Sequence, residues 1–262
     1  MFSGVVFGQR PRVVFGLAAG LMLVAGCTQA ENGDRPPAIK ALEAQGLTIT
    51  QEFDVSGDLR AFAGVAGDQP IAVYITSDGK AIVGTRLDAN GEPIDAATLQ
   101  DLVAKPMSDK TWAQLEDATW VLDGEADAPR VVYTFSDANC PYCNRFWEAA
   151  RPWVDSGKVQ LRHLLVGVIK ADSPAKAAAI LEAPDPSAAL VENETHFAQG
   201  GITPAKGVSN KVQQILDDNQ MLMHATGFRG TPGIIVRESD GLIRKFNGMP
   251  QPGQLVEVLG ER

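Results

Sequence analysis

Apolar positions along the chain switch between two periods, and the switches mark its elements. Ala38, Ile39, Ala41 and Leu42 form a stripe that predicts a short amphipathic helix over Pro36–Gln45, ending before Gly46. Leu47–Val55, Leu59–Val65, Ile71–Ile75 and Ala81–Leu87 are β-like runs, separated by Gly57, Gly67-Asp68 and Asp78-Gly79. Asp78-Gly79 between two short runs is a hairpin signal. Helical spacing returns over Ile94–Trp120, where Pro106 interrupts it. Asp95 is the candidate N-cap of the first part, and Ser108 or Asp109 of the second.

A second cycle begins after the polar, acidic boundary Asp123–Pro129. Val131–Phe135 reads as a buried strand, Ser136–Asn139 as a turn, and Cys140 opens a helix reaching about Asp155. Phe146, Trp147, Ala150 and Trp153 are its apolar positions. Val159–Ile169 is a strand, and Ser173–Leu181 and Val208–Thr226 are helices around a polar, Pro/Gly-rich stretch. Gly233–Arg237 and Ile243–Phe246 are strands joined at Asp240-Gly241, and Pro252–Leu259 closes as a helix. The expected fold class is α+β. A small N-terminal domain (38–93) and a linker helix (94–122) precede a thioredoxin-like domain with a helical insertion (123–262).

Charge and the N-terminus narrow the class. The formal charge is −9, and the first 26 residues hold two Arg and no acid, so their removal would leave −11. Such a balance excludes a nucleic-acid binder, which needs a basic face. Arg10 and Arg12 followed by apolar Val13–Ala25 have the pattern of a secretory signal (1–26), too short for a spanning helix. Leu23-Val24-Ala25-Gly26-Cys27 resembles the bacterial lipoprotein box, in which the Cys thiol receives a diacylglycerol. Thr28 after it would by analogy send the protein to the outer membrane; cleavage after Thr28-Gln29-Ala30 is the alternative. Residues 27–37 read as a tether.

The chain has three cysteines, Cys27, Cys140 and Cys143. If Cys27 is lipidated, one vicinal pair remains in an oxidising compartment, which points to redox use. Zinc would need a second ligand pair, and His163, His196 and His224 are scattered; an iron–sulfur site needs four thiolates. No metal or separate cofactor is expected: the redox group is the Cys140–Cys143 disulfide itself, with a purely structural vicinal disulfide as the bland alternative. Cys140 lies where a strand meets a helix, so unpaired N–H groups favour its thiolate, and Pro141 at the first helical position loses little. Cys143 lies one turn on as the resolving thiol. Gly230-Thr231-Pro232-Gly233 precedes a strand, and by itself Pro232 reads as an ordinary trans turn proline; resemblance to thioredoxin-like domains, which place a cis-Pro opposite the Cys pair at this point in the order, implies a cis Thr231-Pro232 that exposes backbone for an extended substrate. Tyr142 is a candidate substrate contact. Asp137 and Glu125 read as turn and boundary carboxylates, with proton transfer the alternative. Trp147 and Trp153 read as core or interface, and the three His receive no role.

Longer stretches then become specific. Cys140-Pro141-Tyr142-Cys143, Phe146-Trp147, Ala150–Arg162, Leu164–Lys170, Ala177–Leu181, Trp120–Gly124 and Lys40–Gly46 resemble the DsbC/DsbG family of periplasmic thiol:disulfide interchange proteins. One branch of that family carries a further structural disulfide that this chain cannot form, which favours the other branch. The resemblance implies a V-shaped homodimer, joined through a cystatin-like N-terminal domain. It implies isomerase activity and reduction of sulfenylated cysteines, on exported clients with oxidised or misbridged Cys. A DsbD-like membrane electron donor would keep the pair reduced. Cys140, Cys143, Thr231 and Pro232 would carry the active-site roles, with Pro141 and Tyr142 at the rim. The departures are the anchor at Cys27, Ala138-Asn139 before the motif, and Gly233 where Ala is expected; the last two would shift substrate preference. A disulfide-introducing oxidase and a holdase chaperone remain as other readings.

Overall fold

The computed structural model describes residues 35–261; the signal segment, Cys27 and most of the tether lie outside them. Helix α1 (Pro37–Ala44) starts on a proline, whose fixed φ suits a first turn, and buries Ile39. Strands β1 (Leu47–Phe53), β2 (Arg60–Ala66), β3 (Gln69–Ile75) and β4 (Ala81–Val83) form an antiparallel meander in chain order. Ile39, Ile49, Phe62, Val73 and Ile75 close one face under α1. The expected strand to Leu87 stops at Val83, because the next segment turns on itself: the Asp88 carboxylate accepts the Asn90 and Glu92 N–H groups.

Pro106 does not interrupt the following helix. Helix α2 (Ala96–Leu99) runs through a wide π turn (Gln100–Ala104) into α3 (Lys105–Asp117), with Pro106 in the first turn of α3. The wider turn before the proline accommodates its missing N–H. Ser108 and Asp109 therefore sit inside α3 and cap nothing; the Ser108 hydroxyl accepts the Ile243 N–H, and Asp109 pairs with Arg237. Asp95 does occupy the N-cap of α2, but its carboxylate accepts from Tyr74 Oη (2.7 Å) and from Arg86 Nε and Nη2 (2.7 Å each) instead. Nor is α3 a free spacer. Trp112 and Leu115 are buried with Tyr133, Phe135 and Leu164, and Trp112 meets Tyr133 edge-on at 5.0 Å.

The second sheet has the order β5-β7-β6-β8-β9. Its strands are β5 (Val121–Asp123), β6 (Arg130–Ser136), β7 (Val159–Leu165), β8 (Gly233–Arg237) and β9 (Ile243–Asn247). Strand β5 straddles the boundary expected between 122 and 123, so Val121 and Leu122 belong to this sheet. Strands β6 and β7 are parallel, joined by α4 (Pro141–Val154); the other pairings are antiparallel. Successive β6 side chains face opposite layers. Val132 packs with Phe146, Trp153 and Val258, whereas Tyr133 and Phe135 pack with α3 and Phe228. Burial on both faces explains the unbroken apolar run, and each such side chain contributes about 1.5–3 kcal/mol. Helix α8 (Leu255–Leu259) closes the α4 side.

The insertion holds α5 (Ser173–Leu181), α6 (Pro186–Thr195) and α7 (Asn210–Ala225). Helix α6 falls in the stretch expected to be irregular. Asp185 caps it, accepting from Ala188 N at 3.0 Å, but its buried residues are Ala189, Leu190, Asn193 and Glu194. Two polar residues among four hide the apolar stripe. Strand β7 also ends early, at Leu165, since the Val168 and Ile169 N–H groups turn to the Asp137 carboxylate.

Candidate active site

Cys140 is the N-cap of α4, in extended backbone (φ −84°, ψ 113°), and Pro141 follows at the first helical position. Its N–H donates to Asp137 O at 2.9 Å, closing the turn after β6. The sulfur accepts the Cys143 N–H at 3.3 Å, and Sγ lies 3.4 Å from Thr231 O. The Thr231-Pro232 bond is cis, and Pro232 O accepts from Gly248 N at 2.8 Å. Cys140, Pro141, Tyr142, Cys143, Thr231 and Pro232 therefore meet at one end of the sheet. Cys27 lies outside the described residues.

The two thiols are tuned in opposite directions. The Cys140 thiol is lowered from 9.0 to about 6, first by the Cys143 thiol, which donates to its thiolate. Burial opposes this, while Thr231 and the N–H groups of Cys143 and Tyr142 add to it. The Thr231 hydroxyl is buried without a hydrogen-bond partner. The Cys143 thiol is pushed well above 9.0, by burial and then by the neighbouring Cys140 sulfur. A thiol at about 6 is roughly nine-tenths thiolate at pH 7, against about one-hundredth for an untuned one at 9. One sulfur is ready to attack while the other keeps its proton.

The loop before Cys140 is held by a buried polar network. The Asp137 carboxylate accepts from Asn139 N (2.8 Å), Ser173 Oγ (2.7 Å), Val168 N (2.7 Å) and Ile169 N (3.0 Å), and so acts as a turn carboxylate. Asn139 donates to Asp172 and Ser173, both at 3.0 Å, and accepts from Lys176 Nζ at 2.8 Å; Lys176 also donates to Gly200 O at 2.6 Å. Asn193 donates to Ala138 O at 3.2 Å. Behind the motif, Asn144 Nδ2 donates to Glu194 O (2.8 Å) and Glu194 Oε2 (2.9 Å). The insertion thus grips the catalytic turn from both sides. Glu125 instead stands beside Gly157.

Tyr142 is 54% exposed, with the Arg145 guanidinium 5.4 Å from its ring centre. Beside it Tyr142, Arg145, Met249, Pro250, Pro252 and Leu255 line an apolar groove of about 390 Å³. Trp153 is core, donating to Gly260 O at 2.9 Å; Trp147 is buried beneath Arg151. His163 is buried, with Nδ1 3.2 Å from Ser136 Oγ, while His196 and His224 lie at helix ends. Sequence reasoning placed Asn139 at the substrate rim rather than in this network, and missed Asn144, Lys176, Asn193 and Glu194. Only Asn139 and Asn144, which flank the motif, carried a local signal.

A family model described as Thioredoxin matches residues 116–200. The thiol:disulfide interchange protein DsbG of Pseudomonas aeruginosa is 41% identical over 97% of this chain and 100% of its own. The Escherichia coli DsbG is 39% identical over 87% of this chain and 92% of its own. Among solved structures, the catalytic domain of Proteus mirabilis ScsC aligns with TM-score 0.48 and 19% identity, over 59% of this chain and 96% of that one.

Proposed function

The chain belongs to the DsbG family of thiol:disulfide interchange proteins, and we propose that this oxidoreductase works in the periplasm as an isomerase and as a reductase of sulfenylated or misbridged cysteines. Cys140 is the attacking thiolate and Cys143 the resolving thiol. In the reductive direction Cys140 S⁻ attacks a client disulfide; one client sulfur leaves and a mixed disulfide forms. Cys143 then attacks Cys140, its proton passes to the client thiolate, and the client leaves reduced. With a sulfenic acid, Cys140 S⁻ attacks the client sulfur and displaces hydroxide, which takes a proton from solvent to leave as water, and the same second step follows. In isomerisation the client's own freed thiol resolves the mixed disulfide and Cys140 departs unchanged. Thr231 O and the groove beside Tyr142 suit an extended, apolar client segment.

The observation that carries this reading is the split acidity of the pair. A thiolate at about 6 lies nearer the reducing members of the thioredoxin class, at about 7, than the strong oxidants, at about 3.5. A lower value stabilises the reduced form and makes the disulfide more oxidising, so a pair at about 6 gives up its electrons more readily than a strong oxidant does. A DsbD-like membrane donor would return the electrons. Dimerisation through the N-terminal sheet is supported by its edge strand β4, where Ile82 and Val83 are each about half exposed. Lipidation of Cys27 would tether the dimer to the outer membrane. The test is Cys140→Ser, which must abolish reduction of a sulfenylated client and refolding of a scrambled one; full activity in either assay refutes the assignment. Clients trapped on Cys143→Ala should be attached through Cys140.

A further inference from the structure

We propose that Glu194 is a positioning residue that holds the catalytic helix through Asn144 and takes up or gives up a proton in step with reduction and oxidation of Cys140–Cys143. The proposal rests on the thiol–disulfide reading above and extends it to a residue on the inserted helix α6.

Glu194 is buried, and Asn144, the residue after Cys143, donates to both its carbonyl and its carboxylate. Asn193 Nδ2 donates to Oε1 at 3.2 Å. The charged groups facing it are His163 from β7 and Asp123 from β5, with Arg151 of α4 beyond Asp123. Arg151 binds Asp123 with both Nη atoms and neutralises it. Burial works against the Asp123 carboxylate, but the imidazole and guanidinium outweigh it and hold Asp123 below its usual range. That leaves Glu194 and His163. The imidazole Nε2 is buried without a hydrogen-bond partner, 3.7 Å from Asp123 Oδ2. With Asp123 already paired to Arg151, an ionised Glu194 would add a negative charge without a cationic hydrogen-bond partner beneath α4. Burial raises the Glu194 carboxyl, against Asn144 and His163, in keeping with retention of its proton.

The redox cycle changes the charge at the other end of this contact. Reduced protein carries a thiolate at Cys140, and the disulfide carries none. A negative sulfur at the first turn of α4 raises the proton affinity of a carboxylate held to the same turn. Oxidation lowers it. When a client disulfide is reduced, two electrons pass to it, the Cys140–Cys143 bond forms, and Cys143 gives up its proton. The fraction of a proton released at Glu194 joins it on the departing client thiolates.

The test is carbon-13 NMR of the Glu194 carboxyl in the full chain, titrated in reduced and in oxidised protein. The midpoint is expected to be higher in the reduced form by about one pH unit, the scale of a buried charge interaction over a turn or two of helix. The reduction potential gives a second readout. Over the interval in which Glu194 titrates it should fall more steeply with pH in the wild type than in Glu194→Gln, which cannot release that proton. Equal midpoints, or equal slopes, overturn the proposal, leaving Glu194 as packing alone. A protein with no reversible Cys140–Cys143 couple would overturn this proposal together with the reading beneath it; a normal couple with a Glu194 blind to it overturns this one alone. The NMR arm uses unmodified residues, so the outcome does not depend on Glu194→Gln folding.

Discussion

Replacing Cys143 by Ala should make Cys140 a weaker acid, because the Cys143 thiol is the largest single cause of its low value. The alanine removes a donor to a charged acceptor, a bond that contributes about 1.5–3 kcal/mol, or about one to two pH units. Cys140 should therefore move from about 6 to about 7–8, and its thiolate fraction at pH 7 should fall from about nine-tenths to between one-half and one-tenth. The Cys143 N–H, Tyr142 N–H and Thr231 remain, so the shift stops short of 9.0. Cys143→Ser is the companion variant: its hydroxyl can donate in the same place and should recover most of the shift. The rate of alkylation by iodoacetamide against pH, with thiolate absorbance near 240 nm, reads the midpoint in each protein. A Cys143→Ala midpoint still near 6 would refute the reasoning and leave the helix N-terminus as the cause.

Reduced protein should gain stability over oxidised protein as pH rises from about 6 to about 9, and gain nothing below 6. A thiol depressed on folding contributes fully above its unfolded value and loses that contribution as pH falls through the folded one; denaturant titration of both forms checks it. Gly233→Ala should cost about 1–3 kcal/mol by overpacking, since its Cβ would lie 2.7 Å from the Phe228 ring; adding Phe228→Leu should recover part of the lost melting temperature. Lys176→Met would strand Asn139 Oδ1 and Gly200 O, costing about 2–4 kcal/mol and lowering Tm by roughly 5–10 °C. Ile82→Glu with Val83→Glu, both on the exposed edge strand, should convert the proposed dimer to a monomer in sedimentation; unchanged sedimentation would take β4 out of the interface.

What the chain showed in advance was local. The apolar run Val131–Phe135, the Asp137–Asn139 turn and Pro141 lie within eleven residues, and each acts on its neighbours. Together they place Cys140 at a helix N-terminus without reference to anything distant. The errors arose where a distant partner overrides the local pattern. Pro106 looks like a break because the compensating π turn has no sequence mark of its own. Residues 105–117 look like a spacer because the partners of Trp112 are more than twenty residues away, on β6. Helix α6 looks irregular because half of what it buries is polar, and those groups are satisfied by Ala138 and Asn144, some fifty residues earlier.

The same distinction changes how the departures around the motif are understood. Gly233, in place of the expected Ala, suggested a rim altered for a different substrate. Its missing Cβ is instead taken up by Phe228, which fills the space from inside the sheet layer and packs on Phe135 at 5.8 Å. A glycine forced by an interior ring says little about clients. Asn139 is likewise directed inward, with its amide spent on Asp172, Ser173 and Lys176. Neither position presents a side chain to the groove. Tyr142, Arg145 and Met249 do, and Tyr142 is exposed with no buried partner to constrain it. Client preference should therefore follow substitutions at Tyr142, Arg145 and Met249. Substitutions at Asn139 and Gly233 should act through stability and through the acidity of Cys140.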